Sequence, residues 1–171
     1  MSFGPKLLFL DVDGVLNSET FIRAYCLVHG ERSWRSESLD SAAVRRLNEV
    51  IQATGAQIVV SSTWRIGRSV EELQELLHGK GIVGEIVGKT PRLYRLPSGE
   101  ERVRGHEIHE YIRTLSVPPS GIAIVDDDSD MAHMLPYLVQ TSWVTGILDS
   151  HISKLVTMLK KPWRDPVATN T

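Results

Sequence analysis

Apolar residues fall in two patterns along this chain, and the patterns alternate. Continuous runs stand at Leu7-Leu-Phe-Leu10, Ile58-Val-Val60 and Ile122-Ala-Ile-Val125. A strand buried on one face alternates apolar with polar residues. A strand buried on both faces does not, and parallel sheets are covered on both faces. These runs and two weaker ones predict strands over Lys6–Val12, Gln57–Ser61, Ile82–Val87, Ile122–Asp126 and Tyr137–Thr141. Between them the spacing turns helical. Val44, Leu47, Val50 and Ile51 share a face before Gly55. Leu73, Leu76 and Leu77 follow Ser69-Val-Glu-Glu72, a capping-box pattern, and Gly79 follows as a stop. Ile108, Ile112 and Leu115 mark another helix; Ile152, Leu155, Val156 and Leu159 mark the last, with Asp149 as its N-cap. One helix is expected around Glu19–Val28 within the long connection 17–40. Residues 88–104 read as a polar, arginine-rich loop with a turn at Pro97-Ser-Gly99.

Strands alternating with helices imply βαβ units, so the expected architecture is α/β: a three-layer, Rossmann-like fold with a mainly parallel five-stranded sheet. A length of 171 residues fits one domain, expected over residues 1–161 with a mobile tail over 162–171. With 42% hydrophobic residues a core forms without disulfides or a structural metal. The net charge of −2 lacks the global basic field that favours long nucleic acid. Cys26 is the only cysteine, which excludes an internal disulfide and reads as a small buried hydrophobe in a helix. The N-terminal apolar stretch is too short for a signal-peptide core, and no run approaches the roughly 18 apolar residues of a membrane span. A cytoplasmic protein without membrane association is the expectation.

Three of the strands end in side chains suited to chemistry, and ligands of parallel sheets bind beyond those carboxyl ends. The first strand runs into Asp11-Val-Asp13-Gly14, two acids close enough to repel unless a cation lies by them. The second runs into Ser61-Ser62-Thr63-Trp64-Arg65, hydroxyls and a guanidinium that can hold phosphate oxygens. The fourth ends in Asp126-Asp127-Asp128, and carboxylates from two strand ends make a hard-oxygen site suited to magnesium. Ahead of it stands Arg104-Gly-His-Glu-Ile108. Lys89, Arg92, Arg95, Arg102 and Arg104 against Glu100 and Glu101 leave a local excess of three positive charges, which favours an anionic substrate. Trp34 and Trp64 can stack on a base, though packing is the commoner role. His106 and His109 lack the spacing of a metalloprotease pair and read as a solvated helix face.

These four segments, in this order, resemble the four motifs of the haloacid dehalogenase (HAD) superfamily of phosphohydrolases. The strings Asp-Val-Asp-Gly-Val-Leu-Asn, Ser-Ser-Thr-Trp-Arg, Arg-Gly-x-Glu-Ile, Val-Asp-Asp-Asp and Val-Gln-Thr are similar, more narrowly, to the small HAD domain of multidomain RNA-repair proteins, which also occurs as a stand-alone protein in bacteria and phages. The resemblance implies a Mg2+-dependent phosphatase. Asp11 would be the covalent nucleophile and Asp13 the acid/base partner. The metal would be held by Asp11, the backbone carbonyl of Asp13, and Asp126 with help from Asp127. Ser61 matches the phosphate-binding hydroxyl, with Ser62 and Thr63 beside it. Arg104 matches the basic motif, with Lys89 as its rival, and Arg65 and Lys89 are further candidates for substrate binding. The connections are too short for a large cap, so the site is expected to be open. Such a site accepts a nucleotide or a nucleic-acid end, and a homo-oligomer would shield it. The competing reading is a receiver-like or non-catalytic module that binds phosphate and Mg2+. The acid at Asp13 and the serines after the second strand argue against it, as does the absence of lysine between Asp126 and Lys154.

Overall fold

The computed structural model describes residues 4–31, 38–94 and 102–168. Trp34, Arg95 and the Pro97–Gly99 turn lie outside these. Five strands form one sheet: β1 (Lys6–Leu10), β2 (Gln57–Val60), β3 (Ile86–Lys89), β4 (Gly121–Asp126) and β5 (Leu138–Gln140). Their order is β3-β2-β1-β4-β5, and every pair is parallel. The helices are α1 (Glu19–His29), α2 (Ser41–Thr54), α3 (Val70–Gly79), α4 (Arg104–Arg113) and α5 (Asp149–Lys160). The α/β class and parallel sheet read from the sequence are those observed.

The continuous apolar runs are explained by burial on two faces. Leu8, Leu10, Ile58, Val60, Ala123 and Val125 point to one side, where α2, α3 and α5 cover them. Leu7, Phe9, Val59, Ile122 and Ile124 point to the other, against Ile108 and Ile112 of α4 and Met131 and Met134. Alternation is present in space but invisible in composition, because both sides are apolar. The long connection between β1 and α2 holds α1, which has no buried residue. Cys26 lies on it, partly exposed rather than buried, and free.

Two boundaries differ from the sequence reading. The third strand begins at Ile86, not Ile82. Ile82 is buried, but its amide closes the end of α3 on the Leu77 carbonyl at 3.2 Å. Its apolarity belongs to the helix stop. Asp149 does not cap α5; Leu148 occupies that position, and the Asp149 carboxylate instead accepts from Arg46 Nε of α2 at 2.6 Å. Within the segment expected to be a mobile tail, Trp163, Arg164 and Asp165 contact the rest of the protein. The Trp163 amide donates to the Ser120 carbonyl at 3.1 Å, its ring lies 4.9 Å from that of Tyr137, and Tyr137 donates to the Arg164 carbonyl at 2.6 Å. Among the described residues no helix is long and apolar enough to cross a membrane.

Candidate active site

β1 and β4 are neighbours, paired with Leu10 opposite Val125. The next residue of each strand is therefore at one level, and these residues are Asp11 and Asp126. The Asp11 amide still donates to the Val125 carbonyl at 3.0 Å, which carries the sheet's order into the site. Asp127 joins them. One carboxylate oxygen from each of Asp11, Asp126 and Asp127 can be chosen with all three within 4.8 Å of one another. Gly14 permits this approach. Its φ is +76°, and a Cβ there would lie 2.3 Å from Asp127 Cγ. Asp128 stays outside, exposed, accepting from the Ser129 amide at 2.7 Å.

Two of these carboxylates are almost fully buried: Asp126 is 0% exposed and Asp11 5%. Burial and the facing Asp11 charge push Asp126 up to about 7, although Arg104 pulls the other way. Burial likewise raises Asp11, against the opposing pull of Arg104. Asp127 is raised by burial, by Asp128 and by Asp13. Neutralisation by one guanidinium is thus incomplete. Clustered hard-oxygen donors with residual negative charge fit a small divalent cation.

That guanidinium is Arg104, whose Nη1 lies 2.9 Å from both Asp11 Oδ1 and Asp126 Oδ2. Burial works against its charge, but Asp11, Asp126 and Asp130 outweigh it and hold its pKa raised. Arg104 opens α4, and its position depends on two local features. Its amide donates to Asp130 Oδ2 at 3.2 Å, so the loop after β4 caps the helix. Gly105 then packs against the same loop so closely that a Cβ would lie 1.9 Å from the Met131 carbonyl oxygen. Lys89, the rival cation, donates instead to the Arg68 carbonyl.

Asp13 is half-buried and held from two sides. Asn17 Nδ2 donates to its Oδ1 at 2.7 Å, and the Trp64 indole Nε1 donates to its Oδ2 at 3.1 Å. Trp64 is buried, so it orients a carboxylate and is not an open stacking face. Ser61 and Ser62 are fully buried at the end of β2. Among the described residues Ser61 Oγ has no partner, while Ser62 Oγ accepts from the Trp64 amide at 3.3 Å and its side chain helps to lower Asp11. Thr63 begins the 3-10 turn Thr63–Arg65.

The expected substrate role of Arg65 is corrected by its hydrogen bonds. Nε donates to the Thr90 carbonyl at 2.9 Å, and Nη1 to the Ser61 and Ser62 carbonyls at 3.0 and 2.9 Å. Nη2 donates to the Pro91 carbonyl at 3.3 Å and to Glu107 Oε2 at 2.6 Å. All five guanidinium N–H groups are spent inside the protein. Lys89 has the same difficulty in milder form.

Glu107 stands in the Arg-Gly-x-Glu-Ile string, whose reading assigns it no role. It is 2% exposed and accepts from Arg65, from Arg102 and from the Leu93 amide. One buried acid thereby ties the end of β2, the segment after β3 and α4 together. The signal was present: Glu107 precedes buried Ile108 and lies four residues before Tyr111, which packs edge-on to Phe9 at 5.9 Å, so it faces the sheet. The histidine face is also not simply solvated. His109 Nδ1 lies 2.9 Å from His133 Nε2, and its Nε2 lies 3.2 Å from Asp165.

Comparison with curated proteins finds no match. Comparison with protein families does: the family described as the HAD domain in Swiss Army Knife RNA repair proteins matches residues 7–152, a span that takes in the five strands but for Lys6 and every carboxylate of the cluster, and the chain belongs to that family.

Proposed function

We propose that this protein is a Mg2+-dependent phosphomonoesterase that works through an aspartyl-phosphate on Asp11 and takes a nucleotide or the phosphorylated end of a nucleic acid. The observation that carries the reading is the juxtaposition of buried Asp11 with Asp126, Asp127 and the Arg104 guanidinium at one end of the sheet.

An Asp11 carboxylate oxygen attacks phosphorus; the new O–P bond forms as the bond to the ester oxygen breaks. Asp13, aimed by Trp64 and Asn17, gives its proton to the leaving oxygen. It then takes a proton from the water that attacks the aspartyl-phosphate, releasing orthophosphate and restoring Asp11. Ser61 Oγ and Ser62 supply hydroxyls near the phosphoryl oxygens, and Arg104 draws the nucleophile toward its ionised form against the effect of burial. Magnesium, when bound by Asp11, Asp126, Asp127 and the Asp13 carbonyl, supplies charge that screens the approach of a carboxylate to a phosphate. The RNA-repair context in the family's description supports a nucleic-acid end as substrate.

The test is phosphate release with magnesium from nucleoside monophosphates, 3′- and 5′-phosphorylated oligonucleotides, sugar phosphates and phosphopeptides, with Asp11→Asn beside the wild type. Magnesium-dependent release that disappears in the variant is expected. Release that survives Asp11→Asn would exclude the covalent mechanism, and no release from any substrate by folded protein would favour a binding module.

A further inference from the structure

Next to the carboxylates a cleft of about 390 Å3 opens, shared by the 3-10 turn after β2, the segment after β3 and the start of α4. That is within the ~300–1,000 Å3 typical of small-ligand sites. Arg104 forms part of its wall, so the cleft adjoins the nucleophile. Its charge is lopsided. Among the described residues four arginines line it, at positions 65, 92, 102 and 104, beside Glu107 and Asp130. Arg65 is wholly committed to the protein, and Arg104 to Asp11 and Asp126. Arg102 gives one bond to Glu107 with its side chain 24% exposed. Arg92 is exposed, with its guanidinium carbon 5.1 Å from the centroid of the Tyr94 ring.

These cations act on one another. Burial first, then Arg104, Arg102 and Arg92, push Arg65 down to about 10, still a cation at neutral pH. The chemistry at Asp11 needs one phosphate, which the Ser61 and Ser62 hydroxyls serve. Arg92 and Arg102 are surplus to it. The same wall carries apolar surface open to solvent: Tyr94 is 75% exposed and Ile66 46%. A flat aromatic ring backed by an arginine is the usual platform for a nucleobase.

We infer that the cleft is a second anion subsite, taking a phosphate one nucleoside away from the phosphate at Asp11, with that phosphate on Arg92 and Arg102 and a base against Tyr94. The ligand class is a nucleotide with two phosphates, found both in a free nucleoside 3′,5′-bisphosphate and in the last two phosphates of a phosphorylated oligonucleotide. Turnover of such a ligand rests on the phosphatase reading above; its binding in the cleft does not.

Binding is measured without turnover, on the Asp11→Asn protein in the absence of magnesium, by calorimetric titration. The ligands are adenosine 3′-monophosphate, adenosine 5′-monophosphate, adenosine 3′,5′-bisphosphate, a 3′-phosphorylated dinucleotide, and inorganic pyrophosphate as a charge control. The two-phosphate nucleotides are expected to bind about tenfold or more tighter than either monophosphate and tighter than pyrophosphate. Arg92→Ala collapses that ratio toward one. Tyr94→Ala weakens the nucleotides but not pyrophosphate, and Tyr94→Phe restores them. A dinucleotide tighter than the bisphosphate identifies a nucleic-acid end; the reverse identifies a free nucleotide. Equal affinity for one and two phosphates, or a preference that survives Arg92→Ala, overturns the subsite. Hydrolysis of p-nitrophenyl phosphate by the wild type with magnesium runs in parallel. If it fails while the two-phosphate preference stands, the phosphatase reading falls and the subsite remains. Hydrolysis without the preference has the opposite meaning.

Discussion

Arg65, buried, and Arg104, half-buried, are cations within electrostatic reach of Asp11, and they serve opposite ends. Arg65 gives four of its five hydrogen bonds to backbone carbonyls and one to Glu107. Arg104 points its charge at Asp11 and Asp126, carboxylates that it only partly neutralises. The first region is closed, with a charge satisfied from all sides; the second is open-ended, with carboxylates pushed toward their protonated form. A buried charge whose partners are complete belongs to the scaffold, and one whose partners are incomplete marks where a ligand completes them. The distinction lies in how completely the partners answer the charge.

The sharpest way to break this comparison is at Asp11. Asp11→Asn should lower phosphate release by roughly 10⁴-fold or more, the scale expected when a covalent nucleophile is removed, with little loss of fold. On the closed side the effect should be on stability. Glu107→Ala leaves Arg65 buried without its anion and is expected to cost about 3–5 kcal/mol, read as a lower urea midpoint. A Glu107→Ala protein as stable as wild type would place Arg65 outside the scaffold.

Trp64→Phe is a finer probe. It keeps the packing and removes only the indole donor to Asp13. A fall in kcat of about tenfold with KM nearly unchanged is expected, the scale of one lost hydrogen bond to a charged group. Equal loss with a substrate whose leaving group needs no proton would argue against Asp13 as the acid.

The smallest effect concerns pH. Asp126 has a folded pKa raised from 3.8 to about 7. The folded state therefore holds more protons than the unfolded chain between these values. Stability from this group is greatest below the unfolded value, declines as pH rises toward 7, and is level above. A cation that replaces the proton reverses the trend. Magnesium should raise the melting temperature more at pH 8 than at pH 5, by about 2–4 °C for each kcal/mol of difference. The same increment at both pH values would separate the metal from these carboxylates.

Much of the architecture was legible because it follows from local chemistry. Unbroken apolar runs require a sheet buried on both sides, and Ser69 with Glu72 announces a helix start that the structure contains as a capping box. Asp11, Asp126 and Asp127 were legible as a group because residues that follow neighbouring parallel strands must converge. Arg65 misled because exposure cannot be read from residue type: an arginine after a serine-rich turn has the same letters whether it faces substrate or Glu107. Ile82 misled because an apolar residue serves a helix stop as well as a strand.

By itself, the sequence determined the alternation of strand and helix, the parallel sheet and the strand ends at which acids gather, since these depend on periodicity and on short-range capping. Only the tertiary structure decided that Arg104 and not Lys89 meets Asp11, that Glu107 binds three separate segments, and that Trp64 aims Asp13. Those pairings join residues far apart in the chain, and their partners are chosen by the packing of α4 and the 3-10 turn against the sheet. Spacing along a sequence has no term for that distance.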